Sequence, residues 1–244
     1  MSPATSNSWR SWKSPLFGDA DGPAGADNDC FQPTENITAT NYEVGLKGQP
    51  TDGFQMSAAV FFTQYDDLPY QVSTTQGGGF NTTNAIVEQE SFGFEWENTL
   101  YFTENFLFSA SLGYIDVSID STAGIPLPTA VAPLTPELTF SISPEIHWSA
   151  GEGEIVLRAD YSYRDEMYGE PTNDPGRLTK IDSRGLLNFD LAYHSADRSW
   201  TAALYGRNAT DERYDSARLN TGDYLLAILS NDASEFGLRF VKEF

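Results

Sequence analysis

The chain is poor in what most function classes require. Its 244 residues hold one cysteine, Cys30, so no disulfide can close within it. Cys30 lies in a Gly/Asp/Asn-rich stretch, where a free loop thiol and half of a bridge to a missing partner are both open. The two histidines, His147 and His194, are far apart in sequence and make no recognisable metal-ligand spacing. There is no Gly-rich phosphate loop, no HExxH and no Ser/His/Asp order. Paired carboxylates occur at Asp66-Asp67 and at Glu95 and Glu97. The first pair sits at a strand end and the second on one strand face, so both fit hydrated surface better than acid–base machinery. The expectation is a protein without catalysis, cofactor or resident metal.

Basic residues are scarce: 14 Lys+Arg stand against 35 Asp+Glu, for a formal charge of −21. Binding a polyphosphate needs clustered Lys and Arg, so nucleic acid is not an expected partner. The acidity fits hydrated loops, and would also suit cationic or metal-chelate ligands. Long apolar runs are missing too. Nothing approaches the roughly 20 apolar residues of a membrane helix. That excludes a helical membrane protein, but not a β-barrel, whose strands need only about 9–11 residues of alternating polarity. The opening Met1-Ser2-Pro3-Ala4-Thr5-Ser6 has no apolar region of the signal-peptide kind.

Aromatics, by contrast, are plentiful: 12 Tyr, 16 Phe and 5 Trp. Residues 1–37 are Pro/Gly/Asp/Asn-rich without a steady period, which predicts a loop. From about residue 38 a period of two sets in. In 137–148, Leu138, Phe140, Ile142, Ile146 and Trp148 share one face, and Thr139, Ser141, Ser143, Glu145 and His147 the other. Pro144 falls on the apolar face and would cost a ladder bond unless the strand bulges. In 91–98, Phe92, Phe94 and Trp96 alternate with Gly93, Glu95 and Glu97. Segments 105–114, 154–164, 186–193 and 234–244 behave alike, and 39–48, 53–65 and 199–207 bring the expectation to about nine strands. No amphipathic helix is legible.

The connections decide the fold class. Those near 49–53, 99–104, 149–153 and 194–198 are short, whereas those near 66–88, 117–135, 166–184 and 208–233 are long and polar. Short and long alternate strictly. A soluble sandwich has no reason to collect every long loop at one end, but an outer-membrane barrel does. Aromatics gather at strand ends (Tyr101, Phe102, Trp148, Tyr161, Tyr163, Tyr193, Trp200, Phe244), as interfacial girdles would. Charges such as Glu95, Glu97, Arg158 and Asp160 occupy the opposite faces, which a watery lumen tolerates and a second packed sheet does not. If 208–233 lies outside, the last strand runs inward and nine strands place the start of the first outside. Barrels of this kind have an even strand number, so the expectation is the C-terminal part of a larger all-β transmembrane barrel, 38–244, preceded by an extracellular-loop-like segment, 1–37.

Several segments also resemble a known family. Asn41-Tyr42-Glu43-Val44-Gly45-Leu46-Lys47, Ala58-Ala59-Val60-Phe61-Phe62-Thr63-Gln64-Tyr65-Asp66-Asp67-Leu68, Gly93-Phe94-Glu95-Trp96-Glu97, Tyr205-Gly206-Arg207-Asn208-Ala209-Thr210-Asp211-Glu212-Arg213-Tyr214 and the closing Phe236–Phe244 resemble, in order and spacing, the C-terminal region of TonB-dependent outer-membrane receptors. The resemblance covers about residues 30–244. It implies the last nine strands of a plugged barrel of about 22. It implies uptake of a scarce small-molecule ligand, most often an iron–siderophore complex, driven by the inner-membrane TonB complex through a plug domain absent from this chain. Outer-membrane lipid and the barrel-assembly machinery follow as partners, the latter reading Phe240 and the terminal Phe244. Ligand contacts would come from long loops and upper lumen faces. Tyr70, Tyr168, Arg177, Arg218 and Tyr224 are the candidates, because aromatic and guanidinium groups grip flat, charged chelates. Asn208 and Asp211 are expected to terminate a strand by bonding the local backbone. A passive barrel without energy coupling, and a secreted glycan-binding β-sandwich, are the alternatives.

Overall fold

The computed structural model describes residues 5–12, 33–76, 79–123, 129–220, 225–230 and 232–243, with side chains from residue 36 onward apart from 72–84, 121–123 and 177. The strands are β1 (Thr5–Trp12), β2 (Pro33–Thr51), β3 (Phe54–Gln76), β4 (Gly79–Thr103), β5 (Phe106–Ala123), β6 (Leu138–Ala150), β7 (Gly153–Arg164), the short pair β8 (Met167–Tyr168) and β9 (Lys180–Ile181), β10 (Arg184–His194), β11 (Trp200–Arg207), the hairpin β12 (Asp215–Asn220) and β13 (Leu225–Leu229), and β14 (Glu235–Lys242). Ten of them form one sheet in the order β1-β2-β3-β4-β5-β6-β7-β10-β11-β14. Every neighbouring pair in it is antiparallel. Among the described residues the only helical piece is a 3-10 turn, Pro175–Arg177, and no helix is long and apolar enough to cross a membrane.

Register turns the period of two into continuous rows. Phe106 pairs with Ile146, Ile146 with Leu157, Leu157 with Leu191, Leu191 with Leu204, and Leu204 with Leu238. One residue along, Glu145 pairs with Arg158, Arg158 with Asp190, and Asp190 with Tyr205. Because the side-chain period is two, these rows lie on opposite faces of the same wall. The apolar face is bare: Leu46 is 59% exposed, Phe240 67% and Leu238 84%. In water such a band would be an association hazard, whereas in hydrocarbon it matches its solvent.

The structure departs from the sequence expectation at two places and decides between the alternatives at a third. First, Thr5–Trp12, within the segment expected to be loop, pairs with β2. The register shifts between Arg10 and Trp12, so a strict period of two could not run through it. The sheet therefore has the nine expected strands and one before them. Second, residues 66–76 and 79–88, expected as a long loop, continue β3 and β4 as a paired hairpin, and β5 runs on to Ala123. With 25 residues, β4 is far longer than the roughly 9–11 needed to cross a bilayer. Beyond the bilayer neither face needs to be apolar, so the periodic signal fades while the ladder persists. A bulge between Tyr65 and Leu68, with Asp67 at φ 58°, marks the junction. Third, Pro144 causes no bulge. It pairs with Phe108, and the ladder to β7 skips Ser143 and Pro144 without a register shift.

The short connections, at Asp52-Gly53, Glu104-Asn105, Gly151-Glu152 and 195–199, all lie at one end, and the long ones at the other. Gly53 and Gly151 adopt positive φ, of 76° and 64°, as tight hairpin turns require. Fully packed apolar side chains are few, and most belong to the long-loop end: Tyr70, Ala85, Val87, Met167 and Ile181. Among the described residues the wall buries little beyond Ala192 and Ala203, and packing is denser at its outer end.

Candidate functional site

Two adjoining regions carry the polar chemistry, the charged face of the wall and the loop cluster at its long-loop end. On the wall, Arg158 clasps Asp160 through Nε and Nη2 at 2.9–3.1 Å, and Ser143 donates to the same carboxylate at 2.6 Å. Arg239 reaches Asp190 at 2.9 Å. Nearer the short turns, His147 lies 2.8 Å from Glu145 and 3.1 Å from Glu154, and Arg198 reaches Glu154 at 3.2 Å. Arg158 is half exposed, so each such pair is worth at most about 1 kcal/mol. Glu95 and Glu97 are exposed and line an open groove with Glu43 and Lys47. Such charges are hydrated, as a water-filled lumen requires.

The loop cluster joins three connections. The 129–137 segment docks on 165–183: Leu134 N donates to the Tyr168 carbonyl at 2.8 Å, Asn173 N to Thr129 O at 3.0 Å, and Ala130 bridges Thr172. Strand β12 docks on the same loop. The backbone of Gly169 lies so close to the Arg218 carbonyl that a Cβ there would collide with it. Glu170, 6% exposed, accepts from Asn220 N at 2.8 Å. Met167, Thr179 and Ile181 are buried between them.

Asn208 holds the base of the last loop, as the Asx geometry predicted. Its Oδ1 accepts from Glu212 N at 2.9 Å, and its Nδ2 donates to the carbonyls of Glu212 and Asp232. Its own N–H donates to Asn188 Oδ1 at 2.9 Å. Both limbs of the loop are thereby tied to one side chain. Asn208 and Asp211 take positive φ, of 43° and 51°, which Asn and Asp tolerate better than other side chains.

The residues singled out from sequence scatter over this geometry. Tyr168 (β8) and Arg218 (β12) fall in the loop cluster, both half buried, and Arg218 is ion-paired with Asp215. Arg177 closes the 3-10 turn of the same loop as Tyr168, with its side chain outside the described residues. Tyr70 lies in the β3–β4 extension, 9% exposed, with its hydroxyl donating to Gln89. Gln89 in turn donates to Ser91 at 3.1 Å. Burial pushes the Tyr70 phenol up to about 12. Phe240 lies on the apolar face, stacked on Trp200 at 5.9 Å. Cys30, Tyr224 and Phe244 lie outside the described residues.

Sequence reasoning missed the arginines at the outer ends of β7 and β10, Arg164 and Arg184, which are direct cross-strand partners. Both continue the polar face, in phase with Arg158 and Asp190. Their position on either side of a long loop, in a chain with only 14 Lys+Arg, was the signal available.

Comparison with known proteins agrees with this architecture. Residues 6–209 match the family described as TonB dependent receptor-like, beta-barrel. No curated protein matches the sequence. Among solved structures, the ferric yersiniabactin uptake receptor FyuA of Yersinia pestis is 18% identical with a TM-score of 0.70, covering 97% of this chain and 34% of that one. The ferric-catecholate import receptor Fiu of E. coli K12 gives 18% identity and a TM-score of 0.64, over 97% of this chain and 32% of its own. The siderophore receptor PiuA of Acinetobacter baumannii gives 18% and 0.65, over 98% and 33%. The chain thus spans about a third of the length of the structures it resembles. With its bare apolar band, hydrated inner face and one-sided loops, it belongs to the TonB-dependent receptor-like β-barrel family of the bacterial outer membrane.

Proposed function

We propose that this chain supplies barrel wall and outer loops to a receptor that captures a scarce small ligand at the cell surface and admits it across the outer membrane. A ferric siderophore is the ligand class favoured. Energy would come from the inner-membrane TonB complex, acting through a plug domain, and insertion from the barrel-assembly machinery reading the apolar end of β14. The observation that carries the reading is the loop cluster. Three connections from one end of the wall interlock above a hydrated, charged face, as a ligand-gathering vestibule would. The three solved structures named above are receptors for ferric chelates or siderophores, which supports the ligand class without fixing the ligand.

The test is uptake. Cells with and without the gene are grown under iron limitation and supplied with radiolabelled iron on a panel of purified siderophores. At least one chelate should accumulate only when the gene is present, and a protonophore should stop it. Gene-dependent accumulation that ignores the protonophore would indicate a passive barrel. If no chelate depends on the gene, the iron reading fails and the panel moves to cobalamin, haem and saccharides.

A further inference from the structure

The geometry points to a binding site for a small oxyanion, a carboxylate or phosphate group, on Arg164 at the outer end of β7, backed by Arg184 on β10. Arg164 and Arg184 are directly opposed across the β7–β10 ladder and in phase with the polar face. Like charges in that position repel, and the fold would gain by separating them or by putting a negative group between them. Arg184 has found a partner: its guanidinium lies 4.1 Å from the centroid of the Tyr214 ring. Arg164 has not. Its Nε and Nη2 are buried and have no hydrogen-bond partner.

Those two nitrogens are the informative ones. Nε and Nη2 share one edge of the guanidinium and project parallel N–H donors, the arrangement that fits two oxygens of one oxyanion. The same strand shows that edge in use. Six residues back along β7, Arg158 grips the Asp160 carboxylate with Nε and Nη2. Arg164 offers an identical fork with no carboxylate on it. The acids next to it in the sequence and the loop hold other donors, and the charge of Asp232 acts on Arg184 and not on Arg164. Asp165 accepts from Tyr163 OH and from Glu166 N, and Asp232 accepts from Tyr214 OH at 2.6 Å. Other cations of the outer end are paired: Lys180 with Glu166, Arg213 with Asp211, Arg218 with Asp215. In a chain of charge −21, a buried fork facing a second arginine is, among the described residues, a place where an anion is wanted. Tyr214, in the last outer loop, sits beside it and would close over a bound group.

The inference takes from the receptor reading only the identity of the outer end. Binding to purified protein tests the arginines, whereas uptake tests the receptor, so the two can fail separately. The protein is extracted from outer membranes in detergent. Its thermal unfolding is followed at fixed ionic strength with citrate, with inorganic phosphate and with chloride. Citrate, phosphate or both should raise the unfolding temperature in proportion to the logarithm of their concentration, and chloride should not. Which of the two acts separates a carboxylate site from a phosphate site. Arg164→Leu should weaken the anion's apparent affinity about tenfold or more, and should leave the anion-free unfolding temperature unchanged or higher, because it removes a buried, repelled charge. Arg164→Lys, which keeps the charge but not the fork, should fall between. If Arg164→Leu lowers the anion-free unfolding temperature and the wild type ignores every anion, a carboxylate of the protein itself meets the arginine and the inference is overturned. It is equally overturned if wild type and Arg164→Leu respond alike, since the anion then binds elsewhere.

Discussion

Replacing Leu157 by arginine tests the assignment of the two faces directly. Leu157 lies near the middle of β7, paired with Ile146 on one side and Leu191 on the other. Twelve residues at about 3.4 Å each make β7 roughly 40 Å long, and a tilt near 45° brings that to about 29 Å along the bilayer normal. Leu157 therefore sits close to the midplane. An arginine on the lipid face there costs about 2–4 kcal/mol, a shift of roughly 30- to 700-fold in the folding equilibrium. The control is its neighbour. Arg158 lies at the same depth on the opposite face, half exposed, and Arg158→Leu removes only a hydrated pair with Asp160, worth at most about 1 kcal/mol. The assay is urea unfolding of the membrane-inserted protein in thin-bilayer vesicles, followed by tryptophan fluorescence. Adjacent residues, substituted in opposite senses, should differ several-fold in their effect on stability. Equal costs at the two positions, or a cost below about 1 kcal/mol for Leu157→Arg, would refute the membrane orientation of the wall.

Other consequences can be checked singly. Asn208→Ala removes the side chain that ties both limbs of the last loop and leaves backbone groups of Glu212 and Asp232 without their partner. A local loss of about 1–3 kcal/mol is expected, read as faster proteolysis and hydrogen exchange across 208–234 with the wall unaffected. Gly93→Ala would drive a methyl group into the Phe61 ring, which covers Gly93 across the β3–β4 ladder, so Phe61 must move. A drop in stability larger than that of Gly48→Ala, where nothing lies nearby, is the expected outcome. In the 195–199 turn, hydrogen bonds from Ser199 N–H, Ser195 Oγ and Ser199 Oγ hold the Asp197 carboxyl down at about 2. A depressed folded pKa stabilises above the unfolded value of about 3.9 and is lost as pH falls toward 2. The protection factor of the Ser199 amide should thus hold steady above about pH 5 and decline between pH 4 and 2. Asp197→Asn should flatten that dependence.

How much of this was legible in the sequence depended on where a face meets hydrocarbon. Inside the bilayer one face must be apolar, so Phe92, Phe94 and Trp96, or Leu138, Phe140 and Ile142, announce their strand and their side. The alternation of short and long connections gave the polarity of the wall. Past the bilayer that constraint disappears. Residues 71–76 and 79–84 pair in register, yet a sequence so rich in Thr, Ser, Asn and Gln looks like loop. Thr5–Trp12 was hidden for a related reason, a register shift inside eight residues. The loop cluster was illegible because it depends on long-range contacts. Glu170 meets Asn220 fifty residues away, and no local pattern announces that. Tyr70 has a loop-like neighbourhood in sequence, but the ladder carries it into a buried hydrogen-bonded row with Gln89 and Ser91.

The distribution of charge ties the wall to its outer end. A net charge of −21 would repel an anionic ligand at long range, and salt screens that repulsion beyond about 8–10 Å. What a ligand meets within that distance is set by local cations. Arg164, Arg177, Lys180, Arg184, Arg207, Arg213 and Arg218 all fall at or beyond the outer ends of the strands. The lower wall carries only scattered cations, such as Arg158 and Arg239, each neutralised by a carboxylate beside it. Acidic partners cancel several of the outer cations, whereas Arg164 and Arg184 face each other across the ladder at the two ends of one long loop. A concave mouth with low-dielectric walls focuses such a field. The acidic remainder then serves hydration, while selection among ligands falls to a few guanidinium groups whose geometry, rather than whose number, decides what they hold.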